Sequence, residues 1–400
     1  MANCVNCGRE LPSFTFGEQK NICPECERSM VASAPASPYA QPQIEQRRIV
    51  LPRRKTPVTN VLIGLNVAVY IAMVLRGVNP VEPTTQQLLP WGANWGPLSL
   101  STQPWRILAS NYLHGGIVHI ALNMWCLWNL GALSELIFDA WTYVLIYTAS
   151  GIAGSLASLW IHPLTVGVGA SGAIFGLAGA LIAALYLGHL PIPKAAVRGT
   201  LKSLVLFAVY NLFFGAAVGV IDNSAHIGGL VAGLLMGAAM AKHLMTSEEV
   251  RTTWRRLLAI AATVVLSAGF FLVRRANGYV VQLQQGMNAF QQKRYDDAIR
   301  ALEPVYAKKP NDRLTTVMLA SAYIEKKDFD KVIPMLQHEV ELDPSDAPSQ
   351  FNLGLALVKV GRVSEAIPHL QKAVELNPKD EEARQVLQEA QKLKDVGTSD

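Results

Sequence analysis

Residues 168–187 read VGASGAIFGLAGALIAALYL. The stretch carries no charge, and more than half of it is Gly, Ala or Ser. It is as long as a helix must be to cross the ~30 Å hydrocarbon core of a bilayer. Its small residues let neighbouring helices approach closely in lipid, where packing replaces the hydrophobic effect as the driving force. This reading decides the fold class.

The surroundings extend it. Between Ile107 and Pro193 only Glu135 and Asp139 are charged, whereas Leu283–Asp395 holds 34 charged side chains. A single soluble globule is excluded: the middle of the 400-residue chain belongs in lipid and its end in water. Seven apolar segments are expected, at 58–75, 115–133, 141–161, 168–187, 201–221, 225–241 and 257–273. The sixth carries Gly229, Gly233 and Gly237, one per turn, a smooth face for a neighbour.

Basic residues orient these spans. With the N-terminus inside, the inner face holds Arg47, Arg48, Arg53, Arg54, Lys55, Lys194, Arg198, Lys202, Lys242, Arg251, Arg255 and Arg256. The outer face holds Arg76, Arg106, Arg274 and Arg275. Twelve against four satisfies the positive-inside rule. Topology thus accounts for the basic clusters, and no nucleic-acid partner is expected. The outer connection 76–114 contains Trp91, Trp95 and Trp105, which predicts a loop resting at the lipid interface, and 134–140 is expected as an inner loop.

The C-terminal part repeats every 34 residues, starting at Gly286, Ala320 and Gly354, with Pro310, Pro344 and Pro378 in register. That period resembles tetratricopeptide repeats, an α-solenoid over 276–395 that closes on a capping helix at 379–395 and takes a protein or peptide partner.

The N-terminus has no basic stretch followed by an apolar one, so no secretory signal is expected. Residues 1–30 instead pair Cys4-x-x-Cys7 with Cys23-x-x-Cys26. Four thiolates at this spacing suit tetrahedral zinc in a zinc-ribbon-like segment, whose folding energy the metal would supply. Two disulfides, or a degenerate knuckle that has lost its metal, are the alternatives; zinc implies a reducing, cytoplasmic compartment. Residues 31–57, rich in Pro, Ala, Ser and Gln, read as a disordered basic linker.

Polar groups inside spans are costly and mark function. His119 and Asn123 share one helical face of the second span, Ser171 opens the fourth, and His226 opens the sixth. All three spans run outside to inside, so these residues fall at one depth near the outer face. A Ser and a His on adjacent helices can act as nucleophile and base, and free amides at a helix start can bind an oxyanion. Alone, each has a plain structural reading: packing for the Ser, an interfacial position for the His.

Together with Trp105-Arg106, His114-x4-His119-x3-Asn123, Gly169-Ala-Ser171-Gly172 and Ala225-His226-x-x-Gly229-x-x-x-Gly233, they make residues 58–245 resemble a rhomboid intramembrane serine protease. The resemblance implies a six-helix bundle with 246–275 as an added seventh span. It implies Ser171 as nucleophile and His226 as base without a third carboxylate. His119, Asn123 and the amide of Ser171, flanked by Gly169 and Gly172, would form the oxyanion and substrate-binding site. It implies Phe175 packed on His226, no catalytic cofactor, and transmembrane protein substrates cut near the outer face of a bacterial inner membrane. Asp222 reads as a helix cap and Glu135 as structural. Seven spans put the repeats outside the cytoplasm; if 257–273 does not cross, they are cytoplasmic. A proteolytically silent rhomboid-like adaptor is the alternative.

Overall fold

A computed structural model describes residues 3–10, 22–23, 25–26, 29, 56–218 and 221–397. The linker expected at 31–57 lies outside the described residues up to position 55; Thr56 caps, and Pro57 begins, the first long helix. The chain divides into Met1–Lys55 and Thr56–Asp400. Among the described residues the structure is all-α, and its only β pairings are the isolated bridges Asn3–Glu10 and Asn94–Gly167.

Seven apolar helices form the bundle: α1 (Pro57–Leu75), α2 (Ile117–Ile137), α3 (Ala140–Ile161), α4 (Ser171–Leu187), α5 (Lys194–Val218), α6 (Asn223–Ala241) and α7 (Glu248–Ala276). Six are long and apolar enough to cross a membrane; α4, with 17 residues, is the short one. Its small side chains let neighbours close around it, and it is buried along most of its length. The glycine stripe of α6 lies against it. A Cβ on Gly229 would meet the Gly172 carbonyl oxygen at 2.0 Å, one on Gly233 that of Gly176 at 1.9 Å, and one on Gly237 that of Ala180 at 2.4 Å. Only hydrogen fits at these positions.

One expectation needs correcting. The inner loop is shorter than 134–140, because α2 runs on to Ile137. Glu135 therefore sits in its last turn, where it accepts from the amide and hydroxyl of Thr59 in α1, both at 2.7 Å. In the 76–114 connection the tryptophans differ in their surroundings. The Trp95 indole donates to the Leu164 carbonyl (3.1 Å), because an indole N–H away from water needs an acceptor; Trp105 is the half-exposed ring. Arg106, buried, gathers this connection by donating to the carbonyls of Leu89 (2.6 Å) and Ala93 (3.1 Å).

α7 is about 44 Å long. Arg274 and Arg275, which vote against the charge rule, occupy its last turn, and Glu248 and Glu249 its first, matching the helix dipole at each end. Near its start Arg255 pairs with Asp139, the N-cap of α3, at 2.8 Å. Burial pushes the Asp139 carboxyl up, but the Thr142 amide and hydroxyl and the Arg255 guanidinium outweigh it, leaving the pKa below its ordinary value.

The repeats fold as helix pairs: α8 (Gly278–Gln291) with α9 (Tyr295–Lys308), α10 (Arg313–Lys326) with α11 (Phe329–Leu342), α12 (Ala347–Lys359) with α13 (Val363–Leu376), closed by α14 (Glu381–Gly397). Gly286 faces Leu302 and Gly354 faces Leu370, where an added Cβ would meet the leucine Cγ at 2.5 and 2.6 Å. The period extends to Asp312, Asp346 and Asp380, each accepting an amide three residues on.

Candidate functional site

The site is built from the starts of α2, α4 and α6. Ser171 is the first residue of α4, so its amide and that of Gly172 lack intrahelical acceptors. Gly172, next to Ser171, touches Gly229, one turn beyond His226, so the glycine contact draws the two helix starts together. Phe175 lies one turn after Ser171 on the same face, and helical side chains lean back toward the N-terminus. His226 stacks on Phe175, centroids 4.2 Å apart and planes 11° from parallel. The imidazole of His226 is thereby set on the Ser171 face of α4.

Asp222 caps α6, accepting the amides of Ser224 (3.0 Å) and Ala225 (3.2 Å). The Nδ1 atom of His226 is buried with no protein partner among the described residues, a carboxylate included.

On the other side, Gly169 carries the chain into α4 at φ +131°, a conformation that favours glycine. A Cβ there would lie 2.9 Å from Cε1 and Nε2 of His119 and 3.8 Å from the Ser171 hydroxyl, so His119 and Ser171 flank one point. The amide of Gly115 donates to His119 Nδ1 (3.2 Å). Nδ1 is thus an acceptor, and the neutral ring carries its proton on Nε2, the atom facing Gly169. Asn123 turns one N–H back to the His119 carbonyl (3.0 Å), which leaves its second N–H. His114 packs edge-on against His119, centroids 5.2 Å apart.

The structure thus gathers Ser171, His226, Phe175, His119, Gly169 and Gly172 about one end of the bundle, with Asn123 one turn deeper. Sequence reasoning missed the Gly115 amide; the Gly115-Gly116 pair ahead of α2 was its one signal. It also missed the frame of the 162–170 connection, where Gly169 donates to Ser110 (2.9 Å) and Gly167 exchanges bonds with Asn94 (2.8 and 2.9 Å).

In the N-terminal unit, the sulfurs of Cys4, Cys7, Cys23 and Cys26 all lie within 4.8 Å of one another, and Cys7 and Cys23 at 3.6 Å. Tetrahedral zinc at Zn–S of about 2.3 Å needs S···S near 3.8 Å, so the set fits the ion. The Cys23 amide donates to Cys4 (3.1 Å) and, with further amides, lowers its thiol to about 6, while the neighbouring cysteines push Cys26 up.

The rhomboid domain family matches residues 101–243, and tetratricopeptide repeat families match 289–353 and 347–380. The rhomboid protease GluP of Bacillus subtilis is 30% identical over 305 residues, covering 75% of this chain and 58% of its own length. The chain thus spans little more than half of that relative, and it spans 33% of RHOMBOID-like protein 4 of Arabidopsis thaliana, 40% identical over 33% of this chain. The rhomboid protease AarA of Providencia stuartii is 31% identical, covering 52% of this chain and 79% of that protein.

Proposed function

This chain belongs to the rhomboid family, and from that premise we propose that it is an intramembrane serine endopeptidase acting through Ser171 and His226. The stack of His226 on Phe175 carries the reading, since it fixes the base beside the helix start that bears the nucleophile. His226 takes the Ser171 hydroxyl proton as the oxygen attacks the scissile carbonyl. The tetrahedral oxyanion is held by the Ser171 amide, with His119 Nε2–H and the free N–H of Asn123 as further donors. His226 then protonates the leaving amine, and an acyl-enzyme remains on Ser171. Water attacks the ester with His226 again as base, releasing the acid.

The substrates are membrane-anchored proteins whose helix unwinds locally, because a helical backbone buries its carbonyls in hydrogen bonds. Cleavage falls near the outer face of a bacterial inner membrane, with the N-terminus in the cytoplasm. The repeats, joined to the Ser171 end of the bundle, lie outside the cytoplasm and bind a partner or substrate segment. Zinc at the four cysteines is structural.

The test is cleavage of a transmembrane substrate by the purified protein in liposomes. Wild type cleaves and labels with a fluorophosphonate, while Ser171→Ala and His226→Ala do neither. A folded wild type that neither labels nor cleaves makes the chain a silent adaptor.

A further inference from the structure

The junction between α7 and the repeats is tied to the bundle. Asn277, between α7 and α8, donates from its amide nitrogen to the Leu159 carbonyl at the end of α3 (3.3 Å). Val273 and Val280, on either side of it, are buried in one cluster with Leu100, Ile107, Leu156 and Leu159. α8 thus rests on the short helical turn Gly96–Ser99 and on the end of α3. Leu164, in the connection from α3 to α4, packs against this cluster and also against the repeat core around Leu283 and Leu302.

That connection ends at Ser171. Its backbone is held by a few bonds: Gly96 N–H to the Pro163 carbonyl (2.8 Å), the Trp95 indole N–H to the Leu164 carbonyl (3.1 Å), the two exchanged by Asn94 and Gly167, and Gly169 N–H to the Ser110 carbonyl (2.9 Å). Segments held this way open at low free energy unless apolar burial is lost with the opening. Val166 and Val168 supply part of that burial within the bundle, and Leu164 supplies the part that is shared with the repeats.

We propose that the first repeat helix braces the connection 162–170, with Leu164 as the positioning residue, so that the repeat array governs how firmly Ser171 is held. The array is then a control element for the membrane site, and what binds it shifts the opening of the connection, as linkage requires. The consequence for turnover rests on the reading of Ser171 as nucleophile; the brace itself does not.

The experiment is hydrogen exchange of the full chain in nanodiscs, comparing wild type with Leu164→Ala, with Val280→Ala and, as a control, with Leu342→Ala at an exposed repeat position. The brace predicts roughly tenfold faster exchange across 162–170 in the first two variants, with α4 and α6 unchanged. It also predicts a lower kcat with KM within about twofold. Unchanged exchange across 162–170 in both variants, or an equal rise in Leu342→Ala, overturns the brace. If exchange rises while wild type never labels with a fluorophosphonate, the brace stands and the protease reading falls.

Discussion

The imidazole of His226 lies flat on the ring of Phe175, 4.2 Å between centroids. Phe175 also touches Phe207 of α5, at 5.5 Å, so the stack is backed from a third helix. Removing the ring leaves His226 free to swing, and a misplacement of about 1 Å can cost on the order of 100-fold in rate. Phe175→Ala is therefore expected to lower kcat by about that factor with the fold intact, and Phe175→Tyr to stay within about threefold of wild type. Steady-state cleavage in liposomes checks this; an unimpaired Phe175→Ala would remove the stack from the mechanism.

Gly233 sits where a Cβ would be 1.9 Å from the Gly176 carbonyl oxygen, whereas Gly64 of α1 has nothing within 4 Å. Gly233→Ala should lower unfolding stability by about 2–3 kcal/mol, since two helix backbones must part. Gly64→Ala should be neutral or slightly stabilising. Thermal unfolding in detergent distinguishes the two; equal melting temperatures would contradict the packing.

The Gly115 amide sets the tautomer of His119. Gly115→Pro removes that donor, while Gly115→Ala keeps it and fits, its Cβ falling 3.5 Å from His119 Nδ1. If His119 Nε2–H serves the oxyanion, Gly115→Pro should lower kcat by about 100-fold and Gly115→Ala hardly at all. Nitrogen-15 NMR of the histidines gives the matching readout, a shift of the proton away from Nε2 in the proline variant alone.

The lowered Asp139 pKa makes an acid-side prediction. A carboxyl whose folded pKa is depressed stabilises the fold above its ordinary pKa, 3.8, and loses that contribution as pH falls through the folded value. Asp139→Ala removes the α3 cap and the Arg255 partner, so it should cost about 1–2 kcal/mol at pH 7. The gap to wild type should close in strong acid. Melting temperatures of both proteins between pH 7 and pH 2 test this; a gap that persists would assign the loss to packing instead.

Zinc is expected at one ion per chain by metal analysis of the full protein, lost when Cys4 and Cys23 are both changed to Ser. Full zinc content in that double variant would refute the four-thiolate site.

Hydropathy and period are properties of neighbouring residues, and they sufficed for much of this protein. Apolar runs placed seven helices, because solvent partition acts along the chain. The 34-residue period placed the repeats, because each unit presents one face to its neighbour. His119, Ser171 and His226 could even be set at one depth, since depth follows from position within a span. Other features depended on where the chain folds back on itself. Gly229, Gly233 and Gly237 announced a smooth face, but only tertiary packing chose Gly172, Gly176 and Ala180 as its partners. The proton of His119 follows from an amide before its own helix, and Trp95 faces Leu164 because a half-buried indole N–H needs an acceptor. Leu164, an unremarked residue in a short connection, touches both bundle and repeats through contacts with chain more than a hundred residues away. Such pairings are set by the closing of the fold, and of these only the His119 contact left a trace in the sequence, the Gly115-Gly116 pair.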